Sequence, residues 1–229
     1  MKTIGLIGGM SWESTAAYYE IINEEVKHRL GGLHSAKCLL YSVDFAEIER
    51  YQADGRWDKA GLYLGEVAHS LETAGADFIV ICTNTMHKVI EYLEDKITIP
   101  ILHIADATAT QVQKTNIRTV GLLGTSYTME QDFYKSRLVS HGITVLVPDQ
   151  AEREIVNKVI FEELCVGNIQ PSSRDYYRQV IRNLVARGAE GIVLGCTEIG
   201  LLIKQEDSDA PLFDTALIHA VESVNRALE

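Results

Sequence analysis

Apolar residues follow two alternating patterns along the chain. Short runs rich in β-branched residues predict strands, and longer segments with apolar residues at helical spacing, such as Ser14–Arg29, Trp57–Ala74 and Arg174–Arg187, predict helices between them. This alternation predicts an α/β fold in which parallel sheets are covered by helices on both faces. The predicted strands are Thr3–Ile7, Lys37–Val43, Phe78–Ile81, Ile99–His103, Thr119–Leu123, Thr144–Val147, Gly191–Leu194 and Pro211–Phe213.

The second half of the chain repeats the first. KTIGLIG at 2–8 matches RTVGLLG at 118–124, GADFIV at 75–80 matches GAEGIV at 188–193, and PILH at 100–103 loosely matches PLFD at 211–214. The offsets of 116, 113 and 111 residues (118 − 2, 188 − 75 and 211 − 100) are nearly constant. We therefore predict two pseudo-symmetric α/β domains, residues 1–98 plus 210–229 and residues 99–209. Ligands of parallel sheets bind beyond the carboxyl ends of the strands, so we expect a cleft between the domains.

Two polar loops follow equivalent strands of the repeat, CTNTMH at 82–87 and GCTEIG at 195–200. The offset of 113 pairs Thr83 with Cys196 and predicts that the two face one another across the cleft.

Gly8 and Gly9, at the end of the first strand, are expected to let the backbone approach a ligand closely. The counterpart of that turn is GTSYT at 124–128, which supplies several hydroxyl groups.

Cys196 is the thiol best placed for reaction, at a strand end before a predicted helix. Helix-start amides favour a thiolate, so we expect its pKa to lie below the roughly 8.5 of a free thiol. Cys38 and Cys165 are interpreted as small buried hydrophobes. Cys82 should face away from the cleft, because neighbouring strand residues point to opposite faces. The four cysteines have no close CxxC spacing, so neither a zinc site nor a disulfide framework is predicted.

Composition excludes some classes of function. Apolar residues make up 46% and charged residues 23% of the 229, and the formal net charge is −11. Such an acidic chain is a poor binder of nucleic acid or of anionic membranes. No apolar run approaches the roughly 20 residues of a membrane helix, and the N-terminus is not typical of a secretory signal, so a cytoplasmic protein is expected.

GLIGGMS at 5–11, TNT at 83–85 and GCTE at 195–198 together resemble the aspartate/glutamate racemase family, and the similarity extends over essentially the whole chain. The resemblance implies a pseudo-symmetric two-domain fold and racemisation of an amino acid without pyridoxal phosphate or a metal. It also implies a homodimer. In the family two opposed cysteines act: one removes the α-proton and the other returns a proton to the opposite face.

The resemblance also assigns roles by position. Glu198 is expected either to orient or deprotonate Cys196 or to be a surface or helix-capping carboxylate, and Arg50 either to bind a side-chain carboxylate or to be a solvated helix charge. His87, His103 and His219 are expected to be packed or helix-surface histidines rather than catalytic ones, and only His87 lies near the cleft loops. The expected contacts of the substrate are Met10, Ser11, Arg50, Asn84, Thr85, Thr125, Ser126, Tyr127, Thr197 and Glu198.

The chain departs from the family at Thr83, which takes the place of the first cysteine. A hydroxyl is a weaker acid and base than a thiol, so an asymmetric racemase is predicted, in which Cys196 acts on the L-enantiomer and Thr83 returns a proton inefficiently. Cys82 could instead replace the missing thiol. Cys165 stands at the position of a relative's lysine, which weakens the case for strictly acidic substrates. The alternatives are a broad-specificity racemase of neutral amino acids, an enzyme resembling the single-cysteine arylmalonate decarboxylases, and a non-catalytic amino-acid-binding protein.

Overall fold

All eight predicted strands are present in the computed structural model, which describes residues 1–229, and their ends differ from the predicted ends by at most two residues. The strands are β1 (Ile4–Gly8), β2 (Cys38–Ser42), β3 (Phe78–Ile81), β4 (Ile101–Leu102), β5 (Thr119–Gly124), β6 (Thr144–Leu146), β7 (Gly191–Gly195) and β8 (Leu212–Asp214). The helices are α1 (Trp12–Leu30), α2 (Phe45–Ala53), α3 (Trp57–Thr73), α4 (Ile90–Glu94), α5 (Ile104–Gln113), α6 (Ser126–Glu130), α7 (Asp132–Ser140), α8 (Gln150–Glu162), α9 (Pro171–Ala186), α10 (Ile199–Leu202) and α11 (Thr215–Leu228). Short 3-10 helices cover Thr85–Val89, Leu164–Val166 and Gln205–Asp207.

The chain divides into two units, one of Met1–His103 with His219–Glu229 and one of Ile104–Ile218. Each unit contains one four-stranded parallel sheet, with the strand orders β2-β1-β3-β4 and β6-β5-β7-β8. Both boundaries differ from the predicted ones at 98/99 and 209/210: β4 pairs with β3 and belongs to the first unit, and the second boundary lies after β8. The reason is that β8 pairs with β7, which keeps the chain in the second sheet until α11 has begun. None of the helices is long and apolar enough to span a bilayer.

The strand registers reproduce the offsets of the sequence repeat. Ile7 pairs with Ile81 between β1 and β3, and their counterparts Leu123 and Leu194 pair between β5 and β7. The pairing of β3 with β4 likewise corresponds to that of β7 with β8, at offsets of 113 and 111 residues. The two sheets are therefore built alike residue by residue, and the predicted α/β fold with internal pseudo-symmetry is confirmed.

The central strands are apolar without alternation because both faces of each sheet are covered. All residues of β3 and β7 are buried. In the second sheet Leu123 and Leu194 pack into a cluster with α8 and α9, whereas Leu122 and Val193 pack into another cluster with α5 and α7 on the opposite face. These faces fix the central strands, so the loops that leave their carboxyl ends start from defined positions.

Candidate active site

Cys196 and Glu198, two of the predicted site residues, are hydrogen-bonded to each other. Cys196 follows the last residue of β7, and its side chain continues the face of Leu194 into the cluster under α8 and α9. The thiol lies 2.9 Å from Oε2 of Glu198, and the Thr197 hydroxyl donates to the same oxygen at 3.0 Å. Glu198 is only 2% exposed and makes no helix-capping bond, so it is neither a surface carboxylate nor a cap. It is a buried acceptor for the thiol.

The expected low pKa of Cys196 is wrong for this environment. Burial raises the pKa of the thiol well above its ordinary value, and the negative charge of Glu198 raises it further. The helix α10 that should favour a thiolate is a single turn of four residues. Its amides therefore stabilise a thiolate less than the desolvation of the sulfur and the charge of the adjacent carboxylate destabilise it. The resting pair is a thiol that donates to a carboxylate.

Cys165 also lies beside this pair. Its 3-10 helix packs against the hydrophobic cluster that contains Cys196, and its thiol contributes to the raised pKa of Cys196. Cys165 is half-buried rather than buried, as is Cys38 on the edge strand β2, so both were predicted as more enclosed than they are. Cys82 is fully buried, as predicted, and burial raises its pKa strongly. Cys165 brings no positive charge to the Cys196 thiol.

A second loop of the same unit leaves the sheet beside Cys196. Gly124 ends β5 and pairs with Gly195 at the end of β7, so Thr125 and Cys196 emerge at the same edge. A Cβ on Gly124 would lie 2.8 Å from the carbonyl oxygen of Gly195, which explains why the strands end side by side on glycines. Thr125 caps α6 through the amide of Thr128, and Ser126 and Tyr127 are half-buried. The second unit therefore brings Thr125, Ser126, Tyr127, Cys196, Thr197 and Glu198 to one edge.

The first unit presents the equivalent loop after β3. Thr83, Asn84 and Thr85 are 8%, 2% and 7% exposed and run into the 3-10 helix Thr85–Val89. Both backbone polar groups of Thr83 are hydrogen-bonded. The N–H donates to the Ile81 carbonyl at 2.8 Å, and the carbonyl oxygen lies 2.9 Å from Nδ1 of His87. These bonds fix the backbone from which the Thr83 hydroxyl projects.

The turn after β1 lies at the same edge of that sheet, but its glycines do not leave room for a ligand. A Cβ on Gly9 would lie 2.7 Å from the backbone nitrogen of Val43 and closer still to its carbonyl oxygen, and one on Gly8 would meet Thr15. The glycines therefore allow the chain to pack against itself, which differs from the expected role. Ser11 caps α1, accepting from the amide of Ser14, and Met10 is buried.

Arg50 matches the solvated helix charge, one of the two alternatives predicted for it. It is exposed near the end of α2, with its guanidinium 5.7 Å from the centre of the Tyr51 ring. Gln52, two residues later, is buried, and its amide donates to Sδ of Met86 in the Thr83 loop at 3.0 Å. The polar side chain that α2 turns toward the candidate site is therefore Gln52. The spacing of Ile48 and Gln52, one helical turn apart on the buried face, is the signal that the sequence analysis missed.

Comparison with known proteins decides the family. The family model described as Asp/Glu/hydantoin racemase matches residues 7–223. The chain belongs to this family. A provisionally assigned Asp/Glu racemase from Yersinia pestis has a crystal structure that matches with a TM-score of 0.93 at 56% identity over 100% of both chains. An aspartate racemase homologue from Pyrococcus horikoshii matches with a TM-score of 0.86 at 36% identity, again over both whole chains.

A curated relative, the broad specificity amino-acid racemase RacX of Bacillus subtilis, is 22% identical over 98% of this chain and 98% of its own. The whole-chain structural matches agree with the predicted fold. No group of three His, Cys, Asp or Glu side chains in this racemase-family chain is arranged to hold a metal ion. His87 lies in the 3-10 helix that follows Thr83 and Asn84, as its place in the CTNTMH segment predicted.

Proposed function

We propose that this chain racemises amino acids, with Cys196 taking the α-proton of the L-enantiomer and Thr83 serving the opposite face. The contact between the Cys196 thiol and the buried Glu198 carboxylate carries the proposal. Family membership and the equivalence of Thr83 and Cys196 in the two sheets support it. Side-chain proton transfer requires a base that is positioned close to the Cα–H bond and a means to stabilise the developing charge.

Glu198 gives the thiol a route to the thiolate form. With both groups buried, the S–H proton can pass to Oε2 over the existing hydrogen bond, leaving a nucleophilic sulfur beside a neutral acid. An incoming amino acid brings an α-ammonium group, and its positive charge favours the anionic sulfur. The thiolate then takes the Cα proton, and negative charge develops on the substrate carboxylate. By similarity with the family, Asn84, Thr85 and Thr197 are proposed to hold this carboxylate and the amino group.

Thr83 makes the two directions unequal. A threonine hydroxyl can donate or relay a proton to the carbanion, but it is too weak a base to remove an α-proton readily. We therefore expect rapid loss and return of the proton on the Cys196 side and slow delivery on the Thr83 side. L-substrates should exchange their α-proton with solvent faster than they are converted.

Aspartate and glutamate are the first proposed substrates, by family resemblance. A second candidate, racemisation of neutral amino acids, is favoured by the charges of the second unit: Glu198 is anionic, and Cys165, not a cation, lies beside Cys196. The exposure of Arg50 points the same way. The broad specificity of the Bacillus subtilis relative is in keeping with it.

Proton NMR in D₂O tests the proposal with a panel of acidic, neutral and basic L- and D-amino acids. The α-proton signal of at least one L-amino acid should disappear, and Cys196→Ser should abolish this loss while Cys38→Ser retains it. Equal exchange from both enantiomers would contradict the asymmetry. Carbon dioxide release from an arylmalonate without amino-acid exchange would favour a decarboxylase. Tight binding without any exchange would indicate a binding protein and overturn the proposal.

A further inference from the structure

A group of three buried imidazoles lies against the Thr83 loop. His87, His103 and His219 are 1%, 5% and 0% exposed. The ring of His87 lies 4.5 Å from that of His103 and 5.9 Å from that of His219, measured between ring centres. Buried polar rings are retained in a core only when their nitrogens are satisfied, so the hydrogen bonds of this group define what it does.

His219 is a fixed support. The Tyr18 hydroxyl lies 2.9 Å from Nδ1, and Nε2 lies 2.9 Å from the carbonyl oxygen of Leu102. A carbonyl only accepts, so Nε2 carries the hydrogen and Nδ1 accepts from Tyr18. Burial lowers the pKa of His219 to about 4, which keeps the ring neutral at physiological pH. The ring thereby ties α1 and α11 to β4 in a single protonation state.

His87 connects this support to Thr83. Its Nδ1 lies 2.9 Å from the Thr83 carbonyl oxygen, and the same reasoning places the hydrogen on Nδ1. Because the Thr83 N–H is already bonded to Ile81, the His87 bond completes the fixing of the Thr83 peptide. We infer that His87 is a positioning residue that aims the Thr83 hydroxyl at the substrate. The inference rests on the proposed function, in which Thr83 returns the proton that forms the D-enantiomer.

Loss of the bond between His87 and Thr83 should affect only one half of the reaction. Loss of the bond frees the Thr83 peptide to rotate but leaves Cys196 and Glu198, which belong to the other unit, unchanged. Proton removal from the L-enantiomer should continue, and delivery by Thr83 should fail. A displacement of about 1 Å in a reacting group costs on the order of 100-fold in rate, so the effect should be large enough to measure.

The experiment follows an L-substrate of the wild-type enzyme in D₂O and separates deuterated L-substrate from D-product by chiral chromatography and mass spectrometry. His87→Leu should lower the ratio of D-product to L-exchange by about 10-fold or more, since the leucine fills the space without donating. His87→Asn should restore most of the ratio, because its Nδ2 can occupy the place of imidazole Nδ1. Tyr18→Phe, which removes a bond in the same group without touching Thr83, should lower the melting temperature and leave the ratio unchanged.

Two results would overturn the inference while leaving the proposed function intact. One is an equal fall of exchange and product in folded His87→Leu, and the other is the absence of rescue in folded His87→Asn. A measurement on the wild-type protein does not depend on either variant folding: nitrogen-15 NMR should show His87 protonated on Nδ1 at neutral pH, and an unprotonated Nδ1 would refute the bond. Absence of exchange in the wild type would instead refute the proposed function.

Discussion

The thiol of Cys196 donates to Oε2 of Glu198 over 2.9 Å, and the carboxylate that accepts it is buried. Such a contact opposes ionisation of the thiol while the site is empty and offers a place for its proton once a substrate is bound. Glu198 thus has two effects on the Cys196 sulfur. The opposition to ionisation can be measured without catalysis, and the acceptance of the proton only through catalysis.

Glu198→Gln separates these effects. Removing the carboxylate charge should lower the pKa of Cys196, although burial keeps it above its ordinary value. Alkylation of Cys196 by iodoacetamide, followed by peptide mass spectrometry as a function of pH, should therefore shift to lower pH. Exchange of the L-substrate should nevertheless fall, by about 10²–10⁴-fold, because the proton acceptor is lost.

The control for that prediction is Glu162→Gln, which removes an exposed carboxylate at the end of α8 and should alter neither measurement. An alkylation profile that does not move would show that the Glu198 charge is not felt by the thiol. Faster exchange in Glu198→Gln would show that the carboxylate only restrains Cys196 and takes no proton.

Thr83→Cys should convert the asymmetric pair into the two-thiol arrangement of the family. A thiol on the Thr83 side is a better acid and base, so proton abstraction from the D-enantiomer should increase by about 10²–10⁴-fold. Deuterium incorporation at Cα of the D-substrate measures the change. Thr110→Cys, which introduces a thiol at an exposed position of α5, should give no such gain. An absence of gain in Thr83→Cys would argue against Thr83 as the group on the opposite face.

The limits of sequence-based prediction are clearest in the loops. The strands could be predicted because unbroken apolar runs such as Phe78–Ile81 have few other uses, and the repeat identified equivalent residues that the strand registers confirm. The pKa of Cys196 could not be predicted, because it depends on burial and on the direction in which Glu198 points. The packing role of Gly9 could not be predicted either, because its neighbour Val43 is distant along the chain and comes close only in the folded protein.

Gly9→Ala tests the packing role of that glycine. Its backbone φ is +90°, and an added Cβ would collide with the backbone of Val43, which has no flexible end to move. The expected loss of stability is about 2–5 kcal/mol, the sum of about 1–2 for the left-handed backbone and about 1–3 for overpacking. Urea denaturation measures the loss.

Gly55→Ala is a matched control for Gly9→Ala. Gly55 also has a positive φ, +67°, but its Cβ would meet open space. Only the backbone cost of about 1–2 kcal/mol should remain. Equal losses in the two variants would show that contact with Val43 adds nothing, and that the glycines of the first turn serve backbone conformation alone.

The buried His219 should make stability depend on pH. Burial lowers its pKa in the folded protein to about 4, from an ordinary value of 6.5. Between those values the unfolded chain binds a proton that the folded chain does not, so stability is complete above about pH 6.5 and falls as the pH drops toward 4. The shift corresponds to about 3 kcal/mol.

Urea midpoints at intervals from pH 7 to pH 4 should therefore fall less steeply in His219→Gln than in the wild type. The control His34→Gln, at an exposed histidine, should keep the wild-type slope. Parallel curves for wild type and His219→Gln would mean that the ring is protonated as readily inside the protein as outside it.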